Sequence, residues 1–444
     1  MSEYSSFEFV RESSGIEEYT LSKNGLTVLL LSEGTAPVAT FMVTYCVGSR
    51  NEVAGFTGAT HLLEHLMFKG TERFNRDLGT SIFSVLQRVG AQMNATTWYD
   101  RTNYYELLPS EHLPLAMEIE ADRMRGARVR EEDLADERTV VLNELDRGEN
   151  EPIRKLMHGV FSTAFHAHPY GHPVIGWRSD VETVQAVGLR HFYDTYYWPS
   201  NATISVIGRF EKQEVFELID RHFGAIPDRP HVDTDEEIIT REPAQIGERR
   251  ITIRQSGQLG TLMMAWKAPP GLDEDADALD VLAQILAGGK SARMHRRLTD
   301  TGLTTVATAF YPRLRDPGLF VLYANLVPGT LHSQVESGMR TLIADVVENG
   351  VSEAELAKAR RQVVAEEAFG RDGSFAVASR LNEAIAVGDW TLYTTYRQRI
   401  EAVTAEDIQR AARRVFSDDR VTVGEFIPVN DSAEETPVPS RKVA

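Results

Sequence analysis

Displaced by 222 positions, the segment EEDLADERTVVLNELDR falls on EAELAKARRQVVAEEAF, so that Leu134 meets Leu356, Arg138 meets Arg360, Val141 meets Val363 and Glu144 meets Glu366. A second correspondence, at a slightly different shift, aligns YWPSNATISVIGRF with VFSDDRVTVGEFIP. Self-similarity at one long period predicts two homologous halves, each a supersecondary assembly of the same kind. The 444 residues leave ample chain for two domains. Between them, PDRPHVDTDEEIITREPAQIG is acidic, contains proline and lacks a clean period, as a linker does. The expected division is an N-terminal half at 1–227, a linker at 228–247, a C-terminal half at 248–428 and a disordered tail at 429–444.

Within the first half, EYTLSKNGLTVLLLSE alternates around Asn24-Gly25, a hairpin signal with a two-residue turn. FMVTYCV reads as a buried strand, LGTSIFSVLQRVG as a helix and AQMNATTWYDRTNYYELLP as paired strands. A helical stretch from about Leu113 to Arg147 is broken near Gly126. WPSNATISVIGRF then reads as a strand, and KQEVFELIDRHFG as a helix. Strands and helices are mixed without strict alternation. The fold class expected is therefore α+β, with each half a largely antiparallel sheet covered by helices.

The run HLLEHLMFKG at 61–70 carries the chemistry. An α-helix turns about 100° per residue, so His61, Glu64 and His65 share one face. Histidines in apolar helices are often hydrogen-bonded core residues. Two imidazoles one turn apart can also reach one tetrahedral Zn²⁺, and the carboxylate beside them can deprotonate a water. The corresponding stretch of the second half, VLAQILAGGK, has no histidine and no acid, so the pattern belongs to a site and not to the scaffold. A catalytic zinc site needs a third protein ligand. Glu137 and Glu144, seven apart in ERTVVLNE, lie two helical turns apart on one face, but spacing alone leaves them among several acids of that helix.

Four blocks, HLLEHLMFKGTERF, GAQMNATTWYDRTNYYELLP, ERTVVLNEL and HPYGHPVIGW, resemble in order and spacing the pitrilysin/insulinase inverted-zincin metallopeptidases. The likeness is strongest to their short-chain branch, which includes the mitochondrial processing peptidase β subunit and bacterial relatives, and it spans roughly residues 15 to 425. The resemblance implies one Zn²⁺ per chain held by His61, His65 and Glu144, with Glu64 as general base and Glu137 supporting a ligand. It also implies an edge strand on which Asn94 and Ala95 bind an extended peptide. His168, Pro169 and Tyr170 take structural roles near the cleft, so HAHPYGHP, with His166, His168 and His172, reads as a loop and not as a second metal site. The activity implied is endopeptidase cleavage of extended peptides such as leader peptides, oligopeptide debris or targeting sequences. The alternative is a non-catalytic assembly subunit of the same fold.

Relatives of this kind carry an arginine and a tyrosine in the second half, in a stretch resembling G-x-S-S-R and G-L-A-Y. Here GGKSARMHRRLTDTGLTTVATAF keeps the glycines, Ser291 and Arg293, but places Thr304 or Thr305 where tyrosine is expected, and Arg296 and Arg297 do not have the right spacing. The resemblance therefore implies a heterodimer in which a metal-free homologous subunit supplies the Arg/Tyr pair, with a homodimer as the fallback.

A net charge of −18 argues against nucleic acid and anionic membrane as partners. The same charge could draw basic peptides to a cleft or could simply keep the surface soluble. The single cysteine, Cys46, cannot form an internal disulfide and is expected to pack. The N-terminus lacks the charge and apolar pattern of a secretory signal, and no run of eighteen apolar residues occurs, which together predict a cytoplasmic protein.

Overall fold

The computed structural model describes residues 6–34, 36–227, 229 and 239–429. Half of the expected linker and nearly all of the expected C-terminal tail lie outside the described residues. Twelve strands form two sheets. In the first, β1 (Phe7–Ser13), β2 (Ile16–Leu21), β3 (Leu26–Ser32), β4 (Val38–Tyr45), β5 (Gln92–Thr97), β6 (Thr102–Pro109) and β7 (Ala202–Gly208) lie in the order β1-β2-β3-β7-β4-β6-β5. In the second, β8 (Arg249–Ser256), β9 (Thr261–Lys267), β10 (Thr304–Phe310), β11 (Leu319–Leu326) and β12 (Val421–Val429) lie in the order β10-β11-β9-β12-β8.

Reading β3, β7, β4, β6 and β5 against β8, β12, β9, β11 and β10 gives one topology twice. Each sheet contains a single parallel pair, β3 with β7 and β8 with β12, and every other pair is antiparallel. The class is α+β, as expected. β7 is buried along its whole length because helices cover both faces of the sheet. The repeat extends to single side chains. Arg138 donates to the Val181 and Val184 carbonyls at 3.2 and 2.6 Å, and its counterpart Arg360 donates to the carbonyl of Val403. In each half an arginine thus ties a long helix to the helical segment that follows.

Two details depart from the sequence reading. The β2–β3 hairpin turns through four residues, 22–25, with the Gly25 N–H bonded to the Leu21 carbonyl at 2.9 Å, instead of through Asn24-Gly25 alone. The Asn24 side chain is occupied with the Phe223 and Ile226 carbonyls at 2.8 and 3.0 Å, a tertiary role that widens the turn. β1, which pairs with β2, extends the first sheet, so that both strands lie beyond the repeat.

The halves exchange one helix each. Pro152–Ala164 packs Leu156, Val160 and Phe161 against Met263, Ala265 and Phe426 of the second sheet. Ser374–Val387, which begins 222 residues later (374 − 152), packs Val377, Leu381 and Ile385 against Leu29, Met42 and Ile207 of the first. Cys46, partly buried, packs at that second contact. Buried Thr44 donates to Asn382 Oδ1 at 2.8 Å, adding a polar stitch. Each sheet therefore closes its core with a helix from the other half.

The approach of Pro152–Ala164 is close enough to require glycine beneath it. A Cβ at Gly424 of β12 would lie 2.4 Å from Val160 Cγ2 and 3.0 Å from Leu156 Cδ1. Gly424→Val is expected to destabilise the protein by about 1–3 kcal/mol through overpacking. Calorimetry should show a lowered unfolding midpoint, and an unchanged midpoint would contradict this packing.

Candidate metal centre

The helix Ala59–Leu66 carries HLLEHL. It turns its apolar side inward, where Leu62 and Leu66 meet Leu134 and Val141 of the helix Glu131–Glu149 in one buried cluster. Its start is fixed by Glu52, whose buried carboxylate accepts from the Gly58 and Thr60 backbone N–H groups at 2.8 and 2.7 Å. These donors have no partner within the helix, so the carboxylate acts as a cap from the segment leading into it. Burial pushes the Glu52 carboxyl up to about 8, while the bonds from Thr60 and Gly58 oppose that rise. Gly58 has φ +81°, and a Cβ there would lie 2.5 Å from the Ile175 carbonyl oxygen.

On the polar side, His61, His65 and Glu144 present ligand atoms all within 4.8 Å of one another. They are the only such group of three among the described residues. His61 Nε2 lies 3.8 Å from Glu144 Oε2, and the two imidazoles stand at 72° with centroids 4.8 Å apart. Ligand atoms around tetrahedral Zn²⁺ are about 3.3 Å apart, so binding requires a contraction of no more than about 1.5 Å. Burial drives the His61 imidazolium pKa down to about 3, so the ring is neutral, as a ligand must be. His61 Nδ1 is buried without a hydrogen-bond partner among the described residues.

His65 is oriented by Glu137. Its Nδ1 lies 2.9 Å from Glu137 Oε2, which places the ring proton on Nδ1 and leaves Nε2 as the donor atom. Lys69 grips the other carboxylate oxygen of Glu137. The hydrogen bond to His65 is the main cause that pulls the Glu137 carboxyl down to about 2, so it is an anion at neutral pH. Burial disfavours the charged His65 ring, but Glu137 and the nearby Glu64 and Glu144 outweigh it and raise its pKa.

Glu64 points into the same space and is nine-tenths buried. The Thr97 hydroxyl donates to its Oε2 at 2.5 Å. Burial raises the Glu64 pKa, partly offset by Thr97 and by the positive charge at His65 and Arg101. Thr97 ends β5, which forms one edge of its sheet and pairs only with β6. On that strand Asn94 is exposed and Ala95 is buried against the core, so Ala95 can offer an incoming chain only its backbone. Arg101 bonds the Thr96 carbonyl at 2.9 Å and Glu383 at 2.5 Å, joining the end of β5 to the exchanged helix of the second half.

The structure thus brings together His61, Glu64, His65, Glu137 and Glu144, with Asn94 and Ala95 on the neighbouring edge. Thr97, Lys69 and Glu52 were not singled out in the sequence. Their roles depend on contacts across 33, 68 and 6–8 positions, and nothing in their local pattern marks them. His166, His168 and His172 do not converge on a metal. His168 bonds Asp316 at 3.1 Å and accepts from the Tyr170 N–H at 3.1 Å, whereas His172 lies 3.7 Å from Glu52.

The second half holds the same helix pair without the donors. Ala276–Ala287 packs against Glu353–Phe369, with Val281 and Ile285 buried at the positions of His61 and His65. Gln284 takes the position of Glu64 and donates to Glu366, the counterpart of Glu144, at 3.2 Å. Arg293 is bound within this half by Glu355, at 2.8 and 2.9 Å, and by Asp345 at 3.0 Å. Thr304 is buried with its hydroxyl 3.1 Å from that of Thr299, and Arg296 bonds the Ser291 carbonyl.

Two family profiles match the chain: residues 27–177 match "Insulinase (Peptidase family M16)" and residues 184–363 match "Peptidase M16 inactive domain". A zinc protease of Helicobacter pylori, PqqE, is 30% identical over 414 residues, covering 91% of each chain. A probable mitochondrial-processing peptidase subunit beta of Arabidopsis thaliana is 26% identical, over 93% of this chain and 78% of that one. The crystal structure of a protease from Helicobacter pylori superposes with a TM-score of 0.87 at 30% identity, over 93% of this chain and 99% of that one. No helix among the described residues is long and apolar enough to cross a membrane.

Replacing Glu137 by Gln removes the anionic acceptor that fixes the His65 tautomer. The variant is expected to bind Zn²⁺ about 10–100-fold more weakly, as judged by competition with a chromophoric chelator. An affinity equal to that of the parent chain would show that Glu137 does not orient a ligand.

Proposed function

Because the chain belongs to the M16 (insulinase) peptidase family, we propose that it is a zinc-dependent endopeptidase acting on extended peptides. The observation that carries this reading is the convergence of His61, His65 and Glu144 around the buried carboxylate of Glu64. Two imidazoles and a carboxylate are a donor set suited to catalytic Zn²⁺ with a position left open. Bound there, Zn²⁺ would supply Lewis acidity, lowering the pKa of a water and polarising a carbonyl.

The chain's own residues supply the rest. Glu64 accepts the proton of the attacking water and delivers it to the leaving amine. Its burial suits that task, since a carboxylate with a raised pKa holds a proton more readily near neutrality. Thr97 fixes the carboxylate through one oxygen, leaving the other to face the water. The unpaired edge of β5 can add a peptide as a further strand, with Asn94 offering its side chain. Strand addition satisfies the substrate backbone whatever its sequence, so the cleavage rule is set by side-chain pockets.

The same reading includes a partner. Arg293 is committed to Glu355 and Asp345, and Thr304 and Thr305 stand where a tyrosine would be needed. We propose that the Arg/Tyr pair comes from a metal-free subunit of the same two-half fold, with a homodimer as the fallback form. A preorganised donor to the developing oxyanion is worth on the order of a hundredfold in rate. Mixing the purified chain with a metal-free homologue from the same source should raise turnover by about that factor, and replacing the homologue's tyrosine by Phe should abolish the gain. Full activity from the isolated chain would contradict the partner.

For the active site, Glu64→Gln is expected to retain zinc and lose turnover by about 10²–10⁴-fold, because an amide cannot accept the proton. Glu144→Gln should lose metal, since a neutral amide is a poorer ligand than a carboxylate. Elemental analysis and peptide cleavage read the two outcomes separately. Wild-type zinc in Glu144→Gln would displace Glu144 from the ligand set, and wild-type turnover in Glu64→Gln would remove the base.

A further inference from the structure

Away from the metal-binding cluster, a cavity of about 670 Å³ opens at the seam between the two halves. Lys267, the last residue of β9, is among its lining residues, with its ammonium buried in the wall. The Lys267 ammonium lies 3.2 Å above the Phe165 ring and makes no hydrogen bond among the described residues. The nearest carboxylate oxygen, Glu242 Oε1, is 3.6 Å away, an ion-pair distance but beyond hydrogen-bond range. An ammonium carries three donors, so this one is left short of acceptors.

The acids of the cavity are already committed. Glu242 accepts from the backbone N–H groups of His166, Ala167 and His168 at 2.9–3.1 Å. Asp316 is held by Arg50 at 2.5 Å and by His168 Nε2 at 3.1 Å. Arg241 and Arg420 also line the space, and neither has an ion pair or side-chain hydrogen bond among the described residues. Among the described residues, Arg50, Arg241, Lys267, Arg420 and the titratable His168 thus line the cavity with two engaged carboxylates, in a chain whose net charge is −18. A generic surface of so acidic a protein would show the opposite balance. Ile239, Pro243 and Pro317 supply apolar wall.

We propose that this seam cavity binds a small organic anion bearing two or more phosphate or carboxylate groups. The guanidinium groups of Arg241 and Arg420, without side-chain partners among the described residues, offer forked donors for such groups, and Lys267 adds a buried point charge in the wall. The volume exceeds what a single inorganic ion fills and lies in the range of pockets that take small organic ligands. Burial drives the Lys267 pKa down to about 7, so an anion placed against it would also restore its charge. The site draws on residues of both halves and on none of those assigned to the metal or to the peptide.

The test is calorimetric titration of the full-length protein with three probes: fructose 1,6-bisphosphate, tricarballylate and inorganic phosphate. Saturable one-to-one binding of the bisphosphate or the tricarboxylate, at least tenfold tighter than that of inorganic phosphate, is expected; which of the two binds tells phosphate from carboxylate. Lys267→Met keeps the aliphatic stem and removes the charge, and should weaken binding at least tenfold. The double variant Arg241→Ala, Arg420→Ala should do the same, and it stands in for Lys267→Met if that variant does not fold, because both arginines are exposed. Arg296→Ala, an exposed arginine elsewhere, should leave binding intact. Absence of saturable binding by any probe, or equal binding in the parent and the double variant, would overturn the proposal. Neither readout depends on peptide cleavage, so failure here leaves the peptidase reading untouched.

Discussion

The site depends on how two helices pack. Leu62 and Leu66 on one and Leu134 and Val141 on the other bury a shared apolar seam. That seam sets the axial register of every polar group beside it. His61 pairs with Glu144 and His65 with Glu137, so the contacts run in opposite senses along the two helices. A change of register by one residue would rotate the donors by about 100° and scatter them. Hydrophobic burial, which is non-directional, is thus converted by helical periodicity into a directional arrangement of two imidazoles and three carboxylates.

The second half serves as an internal control for that argument. It keeps the same sheet order, the same helix pair and even the arginine that bonds a backbone carbonyl of the segment that follows. Where the first half has histidines it has buried Val281 and Ile285, and Gln284 and Glu366 satisfy each other. The scaffold therefore does not require the histidines. In the first half His61 keeps a buried nitrogen without a partner among the described residues, a polar cost that packing alone does not explain. The exchanged helices hold the two halves together, so the end of β5 is joined through Arg101 and Glu383 to the half that has no metal ligands.

Much of this was legible from the chain. The repeat predicted two sheets of one topology, and the spacing of His61, Glu64 and His65 placed them on one helical face. The partner glutamates were harder, because Glu131–Glu149 carries many acids and only the resemblance to a known family separated Glu137 and Glu144 from the others. What could not be read are the facts that depend on which surfaces meet. An apolar stripe on Pro152–Ala164 says that the helix is covered, not that it lies on the other half's sheet, since both sheets offer an apolar face. Thr97 has two other threonines at or beside its strand, Thr96 and Thr102, and only the fold aims its hydroxyl at Glu64. The width of the β2–β3 turn was misread for the same reason, as Asn24 answers to carbonyls about 200 positions away.

The central claim is that one Zn²⁺ is held between these two helices. Crystals of the parent chain, measured on both sides of the zinc absorption edge, test it most directly. The account predicts a single strong anomalous peak bounded by His61, His65 and Glu144, with Glu64 close to it but outside the ligand set. A peak at other residues, or none in protein grown with zinc present, would contradict it.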